Sequence, residues 1–101
     1  MNDYYVTSDA ELDLFKIRDY TVSNWGAEQS NKYLIGLRDT FRLIAENSNV
    51  GTQRTDIDEN VFSFPHVSHT LYYTIDNNRV IFFGVLHKSM IPEKHLLDRE
   101  G

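Results

Sequence analysis

At Gly51 the hydrophobic period of this chain changes. Before it, apolar residues recur every three to four positions, the mark of helices with one buried face. After it, they alternate or run together in short stretches rich in Val, Ile, Phe and Tyr, the mark of strands. A chain of 101 residues that is helical first and stranded second is restricted to one α+β domain across 1–101, with paired helices packed on a small sheet.

Ala10, Leu14, Ile17 and Thr21 recur at helical spacing, with Phe15 and Tyr20 widening the stripe, which predicts a helix over 9–23. Ser8 with Glu11 fits a capping box. Tyr33, Leu34, Leu37, Phe41, Ile44 and Ala45 line one face of a second helix, bounded by Gly26 and the Asn47-Ser48-Asn49 cluster. Only "NWG" separates the two, so they form an antiparallel hairpin. Gly36 inside the second helix costs about 1 kcal/mol against alanine; either a close helix–helix approach or simple tolerance accounts for it.

"DYYV" at the start suits an edge strand. Past Gly51 come Val61-Phe62-Ser63-Phe64, then a bend at Pro65 and His66, then "HVSHTLYYTI" and "RVIFFGVLH" around the Asp76-Asn77-Asn78 turn. The order is β-α-α-β-β-β, with an antiparallel sheet. "RVIFFGVLH" has little polar alternation, so it is a central strand covered on both faces. The helix hairpin covers one. Either the C-terminal segment or a partner covers the other.

Composition narrows the function. A net charge of −5 argues against broad nucleic-acid binding and favours a protein partner. There is no cysteine, so no disulfide or thiolate metal site, which suits a reducing cytoplasm. The N-terminus lacks the basic and apolar regions of a signal peptide, and no apolar run approaches the roughly 20 residues of a membrane span.

His66 and His69 are three apart across a turn and read as local hydrogen-bonding groups rather than metal ligands. A metal-free ribonuclease needs a base, a phosphate-holding cation and an acid. His87, with Lys88 or Arg54 and with Tyr72 or Tyr73, offers a diffuse inventory for those roles. Tyr72 and Tyr73 read equally as ordinary strand aromatics, one facing each way. No glycine-rich phosphate loop or nucleophile elbow is present. Ser68-His69 and Ser89 near His87 are short local pairings without a third group, which argues against a serine hydrolase.

"WGAEQSNKYLIGL", with Trp25, Gly26, Gln29, Tyr33 and Leu34, resembles the start of the long helix in ParE toxins of the ParE/RelE superfamily. "SFPHVSHTLYY" is similar to that family's phenylalanine, turn, serine-histidine and aromatic pair, and "VLHKSM" to its Leu-His…Met signature, here Leu86, His87 and Met90. "AELDLFKI" matches the first helix pattern. The blocks fall in order over nearly the whole chain. The sequence departs from the pattern at Phe62 and Gly84, where many members carry arginine, and at Met90-Ile91, where the motif ends in Met-Asp.

The resemblance implies a cytoplasmic, non-enzymatic toxin that poisons DNA gyrase, needs no cofactor or metal, and forms a hetero-oligomer with a ParD-like or related antitoxin. The target-binding residues would be His87, Lys88, Met90 and His95. The antitoxin would bind over Leu14, Tyr33, Leu37, Phe62, Phe64 and Tyr73. Two alternatives stand beside this one: a RelE-like messenger-RNA endonuclease using His87, Lys88 and a tyrosine, and a member that binds antitoxin without toxicity.

Overall fold

A computed structural model describes residues 3–99. The chain runs β1 (Tyr4–Val6), α1 (Ser8–Trp25), α2 (Ala27–Glu46), a 3₁₀ turn (Ser48–Val50), β2 (Thr52–Gln53), β3 (Phe62–His66), β4 (His69–Asp76), β5 (Arg79–His87) and α3 (Pro92–Leu96). The α+β architecture expected from the change of period is present, and two elements are added to it. With only two residues, β2 is too short to show a period. α3 is a five-residue helix announced only by Pro92 in its first turn.

The five-stranded sheet has the order β1-β5-β4-β3-β2. It is mixed, not wholly antiparallel: β1 pairs with β5 in parallel, Tyr4 opposite Val80 and Val6 opposite Phe82. Parallel neighbours need a long crossover, and the chain between them includes the helix hairpin. β4 and β5 join through Asn77 and Asn78, both at positive φ (51° and 65°), as the favoured two-residue hairpin turn requires. The β3–β4 turn lies at Val67 and Ser68, two residues past the expected bend, and Val67 has φ 52°, which a β-branched residue rarely adopts. Pro65 is tolerated within β3 because β2 reaches only Phe62 and Ser63.

α1 begins one residue earlier than predicted. Thr7, not Ser8, is its N-cap, and its Oγ1 accepts the Ala10 N–H at 3.2 Å. Gly26 alone separates the helices, at φ +89°, where other residues are strained. The inner stripe of α1 is Ala10, Asp13, Ile17 and Thr21. Phe15 and Tyr20 point away from it and are exposed, as is half of Trp25. α2 turns Leu37, Phe41, Ile44 and Ala45 inward as its period requires. Gly36 lies under the His66 ring, 3.3 Å from where a Cβ would sit, so the close approach is to the sheet and not to the other helix.

A bulge divides the core of β5. Opposite Tyr72 and Tyr73, β5 uses Gly84 and Phe82, leaving Phe83 as the extra residue. The alternation therefore shifts. Val80, Phe82 and Val85 join Ile17, Leu37, Phe41, Ile44, Leu71 and Tyr73 on the helix side. Phe83 and Leu86 join Val61, Tyr72 and Leu96 on the other side. The second cover of β5 is thus the chain's own C-terminal segment. Among the described residues, no helix is long and apolar enough to cross a membrane.

Candidate functional site: the cleft beneath the C-terminal strap

β1 ends at Val6, and its last link to β5 is the Thr7 N–H donated to Phe82 O at 2.9 Å. Beyond that point β5 has no neighbouring strand on this side, yet its backbone polar groups still need partners. Asp13 of α1 and Arg99 of the tail supply them. Val85 N–H donates to Asp13 Oδ2 at 2.9 Å. Arg99 Nη1 donates to Asp13 Oδ2 at 2.6 Å and to Phe83 O at 3.2 Å, while Nη2 reaches Asp13 Oδ1 at 3.2 Å. The carboxylate is 6% exposed, so it requires this cation and these hydrogen bonds.

Residues 89–99 fold across the sheet as a strap. Leu96 is buried over Gly84; a Cβ there would come within 2.6 Å of Leu96 Cδ2. Between the strap and α1 opens a cleft of about 550 Å³. Asp13, Lys16, Ile17 and Tyr20 form one wall, Val85, Leu86, His87 and His69 the floor, and Ser89, Met90, His95 and Arg99 the other wall. Three of the expected target-binding residues, His87, Met90 and His95, meet here. Lys88 does not line the cleft; its backbone N–H donates to Ser68 O at 2.8 Å.

Three of the four histidines, His66, His69 and His87, are structurally engaged. His87 Nδ1 accepts the Ser89 N–H at 3.1 Å and lies 2.7 Å from Ser89 Oγ. Its lone pair is thereby used, and the proton belongs on Nε2. His69 is 8% exposed, and its Nδ1 lies 2.6 Å from Tyr33 Oη. Its ring packs edge-on against His87, centroids 5.4 Å apart. Burial, with repulsion from His87 and His66 as a smaller cause, lowers its pKa to about 4. His66 Nδ1 lies 2.9 Å from Thr40 Oγ1, and burial lowers its pKa too. No group of three or more metal-ligating side chains occurs among the described residues.

The other members of the nuclease inventory are dispersed. Arg54 donates to both carboxylate oxygens of Asp56, at 3.0 and 2.9 Å, with its guanidinium over the Tyr72 ring. Tyr73 is fully buried, donating to Ser48 O and accepting from Gly51 N–H. Tyr72 packs on the opposite face of the sheet.

Of the expected antitoxin-binding residues, Leu37 and Tyr73 are 0% exposed and belong to the core, where no partner reaches them. Tyr33, Phe62 and Phe64 are half-buried against that core. Leu14 lines a groove of about 200 Å³ with Glu11, Phe15, Arg18 and Leu34, between α1 and α2. Phe15, Tyr20 and Trp25 are also exposed on α1, Phe15 in this groove and Tyr20 on the cleft wall beside Trp25. Sequence reasoning placed two of these inside, and it missed Asp13, Lys16, Leu96 and Arg99 altogether. A charge at position 13, within the inward stripe of Ala10 and Ile17, was the available signal.

Known proteins agree with this architecture. The family model described as "ParE toxin of type II toxin-antitoxin system, parDE" matches residues 4–92. Toxin ParE1 of Mycobacterium tuberculosis, in strains CDC 1551 / Oshkosh and ATCC 25618 / H37Rv, is 29% identical over 94 residues, covering 92% of this chain and 96% of the relative. A solved structure described as "Chromosomal ParDE TA system from P. aeruginosa" shares the fold with a TM-score of 0.75 at 17% identity, over 86% of this chain and 96% of that one. Leu96 and Arg99 lie beyond the residues that the family model matches.

Proposed function

The chain belongs to the ParE toxin family of type II toxin–antitoxin systems, and from that premise we propose that it inhibits DNA gyrase in the cytoplasm by binding rather than catalysis. The observation that carries this is the state of His69 and His87, the two histidines on the floor of the cleft. A general acid or base works best with a pKa near the working pH and an open line to the reacting proton. His69 is buried with its pKa near 4. His87 spends its free lone pair on the Ser89 backbone. Of the two cations expected to hold phosphate, Arg54 is tied to Asp56 and Lys88 does not line the cleft, and Arg99, which does, is tied to Asp13. What remains is a mostly apolar cleft edged by Lys16, His87 and His95, a surface suited to a protein target.

A ParD-like or related antitoxin would bind elsewhere, along the α1–α2 groove at Leu14, Phe15 and Leu34. An amphipathic helix fits such a groove. Partly disordered antitoxin segments that fold on binding typically bury about 1,000–3,000 Å². Half-buried Tyr33, Phe62 and Phe64 are candidates for its margin.

The purified chain should be assayed on gyrase supercoiling and on ribosome-dependent messenger-RNA cleavage side by side, with and without the antitoxin. Gyrase inhibition that the antitoxin relieves, with intact RNA, is expected. RNA cleavage with gyrase unaffected would put the RelE-like reading in its place, and antitoxin binding without either activity would identify a non-toxic member.

A further inference from the structure

We infer that the buried Asp13–Arg99 pair is a latch that positions the target-binding wall of the cleft, and that toxicity depends on it although neither residue need touch the target. This rests on the reading that the cleft meets the target.

The strap is pinned at both ends. Upstream, His87 and Ser89 are bonded side chain to side chain and to backbone, and Met90 N–H donates to His87 O at 2.9 Å. Downstream, Leu96 fills the space over Gly84, and Arg99 makes two contacts with the Asp13 carboxylate and one with Phe83 O, at 2.6–3.2 Å. Met90 and His95 lie between these anchors. Met90 and Ile91 are 44% and 49% exposed, so this middle stretch has little packing of its own. α3 is five residues long, too short to hold its shape alone. The position of His95 opposite Lys16 therefore depends on the downstream anchor.

The chemistry of that anchor is specific. Asp13 accepts from Val85 as well as Arg99, so one carboxylate joins α1, β5 and the strap. The fork of a guanidinium spans both carboxylate oxygens and the Phe83 carbonyl at once, which an ammonium cannot do. Among the described residues, the pair also neutralises the one carboxylate lining the cleft, whose rim carries Lys16.

The test uses the full chain with Arg99→Gln, Arg99→Lys and the double variant Asp13→Asn/Arg99→Gln, which leaves no unpaired buried charge. Amide hydrogen exchange is read at Val85, Met90 and Lys94, with β4 amides as the internal reference. Gyrase inhibition and antitoxin affinity are measured on the same samples. For Arg99→Gln and the double variant, strap amides should exchange at least about tenfold faster while β4 keeps its protection. Gyrase inhibition should fall by about tenfold or more, with antitoxin affinity within about threefold of wild type. Arg99→Lys, which keeps the charge but not the fork, should recover only part of the inhibition. Unchanged strap exchange in Arg99→Gln would overturn the latch. Full inhibition by a variant with a loosened strap would overturn its role in toxicity. Should the wild-type chain leave gyrase untouched, the proposed target is wrong, and the exchange contrast still decides whether the latch exists.

Discussion

On one face of the sheet, nine buried side chains from two long helices and two strands form a continuous core, from Ile17 on α1 to Val85 on β5. On the other face, four buried side chains are closed by a fifth, Leu96 from a five-residue helix, and by an ion pair. The first cover would exist wherever helices of this period met this sheet. The second depends on a few contacts between residues far apart in sequence. Stability belongs to the first face; the second, where local opening is easier, carries the strap that we propose shapes the recognition surface.

The comparison breaks first if the helix side is not the stronger. Leu37→Ala or Phe41→Ala should each destabilise by about 2–5 kcal/mol in chemical denaturation, since each opens a cavity in the larger core. A change within about 0.5 kcal/mol, typical of surface positions, would mean that this face is not the fold's foundation.

The edge of that core is the next place to press. His69 is held neutral in the fold, with its pKa lowered to about 4 from 6.5. Between those values the unfolded chain takes up a proton that the native chain does not. Its contribution is therefore fully present above pH 6.5 and is lost as pH falls toward 4, by at most about 3 kcal/mol. Denaturation midpoints measured across this range should fall with pH, and less steeply in His69→Asn. An identical slope in the variant would show that His69 does not carry the effect.

The smaller core should respond less. Leu96→Ala should destabilise by about 2 kcal/mol, the low end for a buried leucine, because the strap can open without unfolding the sheet. Exchange should accelerate over 89–99 while β4 stays protected. A loss as large as that of Leu37→Ala would mean that the two faces unfold as one unit.

The same contrast explains what was legible in the sequence. α1, α2 and the last three strands declare themselves by local period and turn residues, and the family resemblance rests on those blocks. The inward face of α2 was readable because Leu37, Phe41 and Ile44 repeat without interruption. α1 was harder: Phe15 and Tyr20 add to an apolar count yet lie outside, while charged Asp13 lies inside. Nothing local pairs Asp13 with Arg99, 86 residues away. His87, Met90 and His95 could be proposed as a group, but the cleft that unites them is made by that distant pair. Leu37 and Tyr73 were assigned to a partner because apolar strength alone does not distinguish core from interface.

The central claim is that the cleft recognises its target and performs no acid–base chemistry. Removing residues 90–101 would test this poorly, since the strap supplies Leu96 and Arg99 to the fold. The direct measurement compares gyrase inhibition by His87→Gln with that by Met90→Ser/His95→Ala, each shown to be folded by circular dichroism. Glutamine can still accept the Ser89 N–H, so His87→Gln should stay within a few-fold of wild type, while the double variant, stripped of two exposed side chains on the cleft wall, should lose inhibition. Loss of an acid or base alone typically slows a reaction about 100- to 10,000-fold. An inert His87→Gln beside a fully active Met90→Ser/His95→Ala would contradict the account and make His87 a catalytic group.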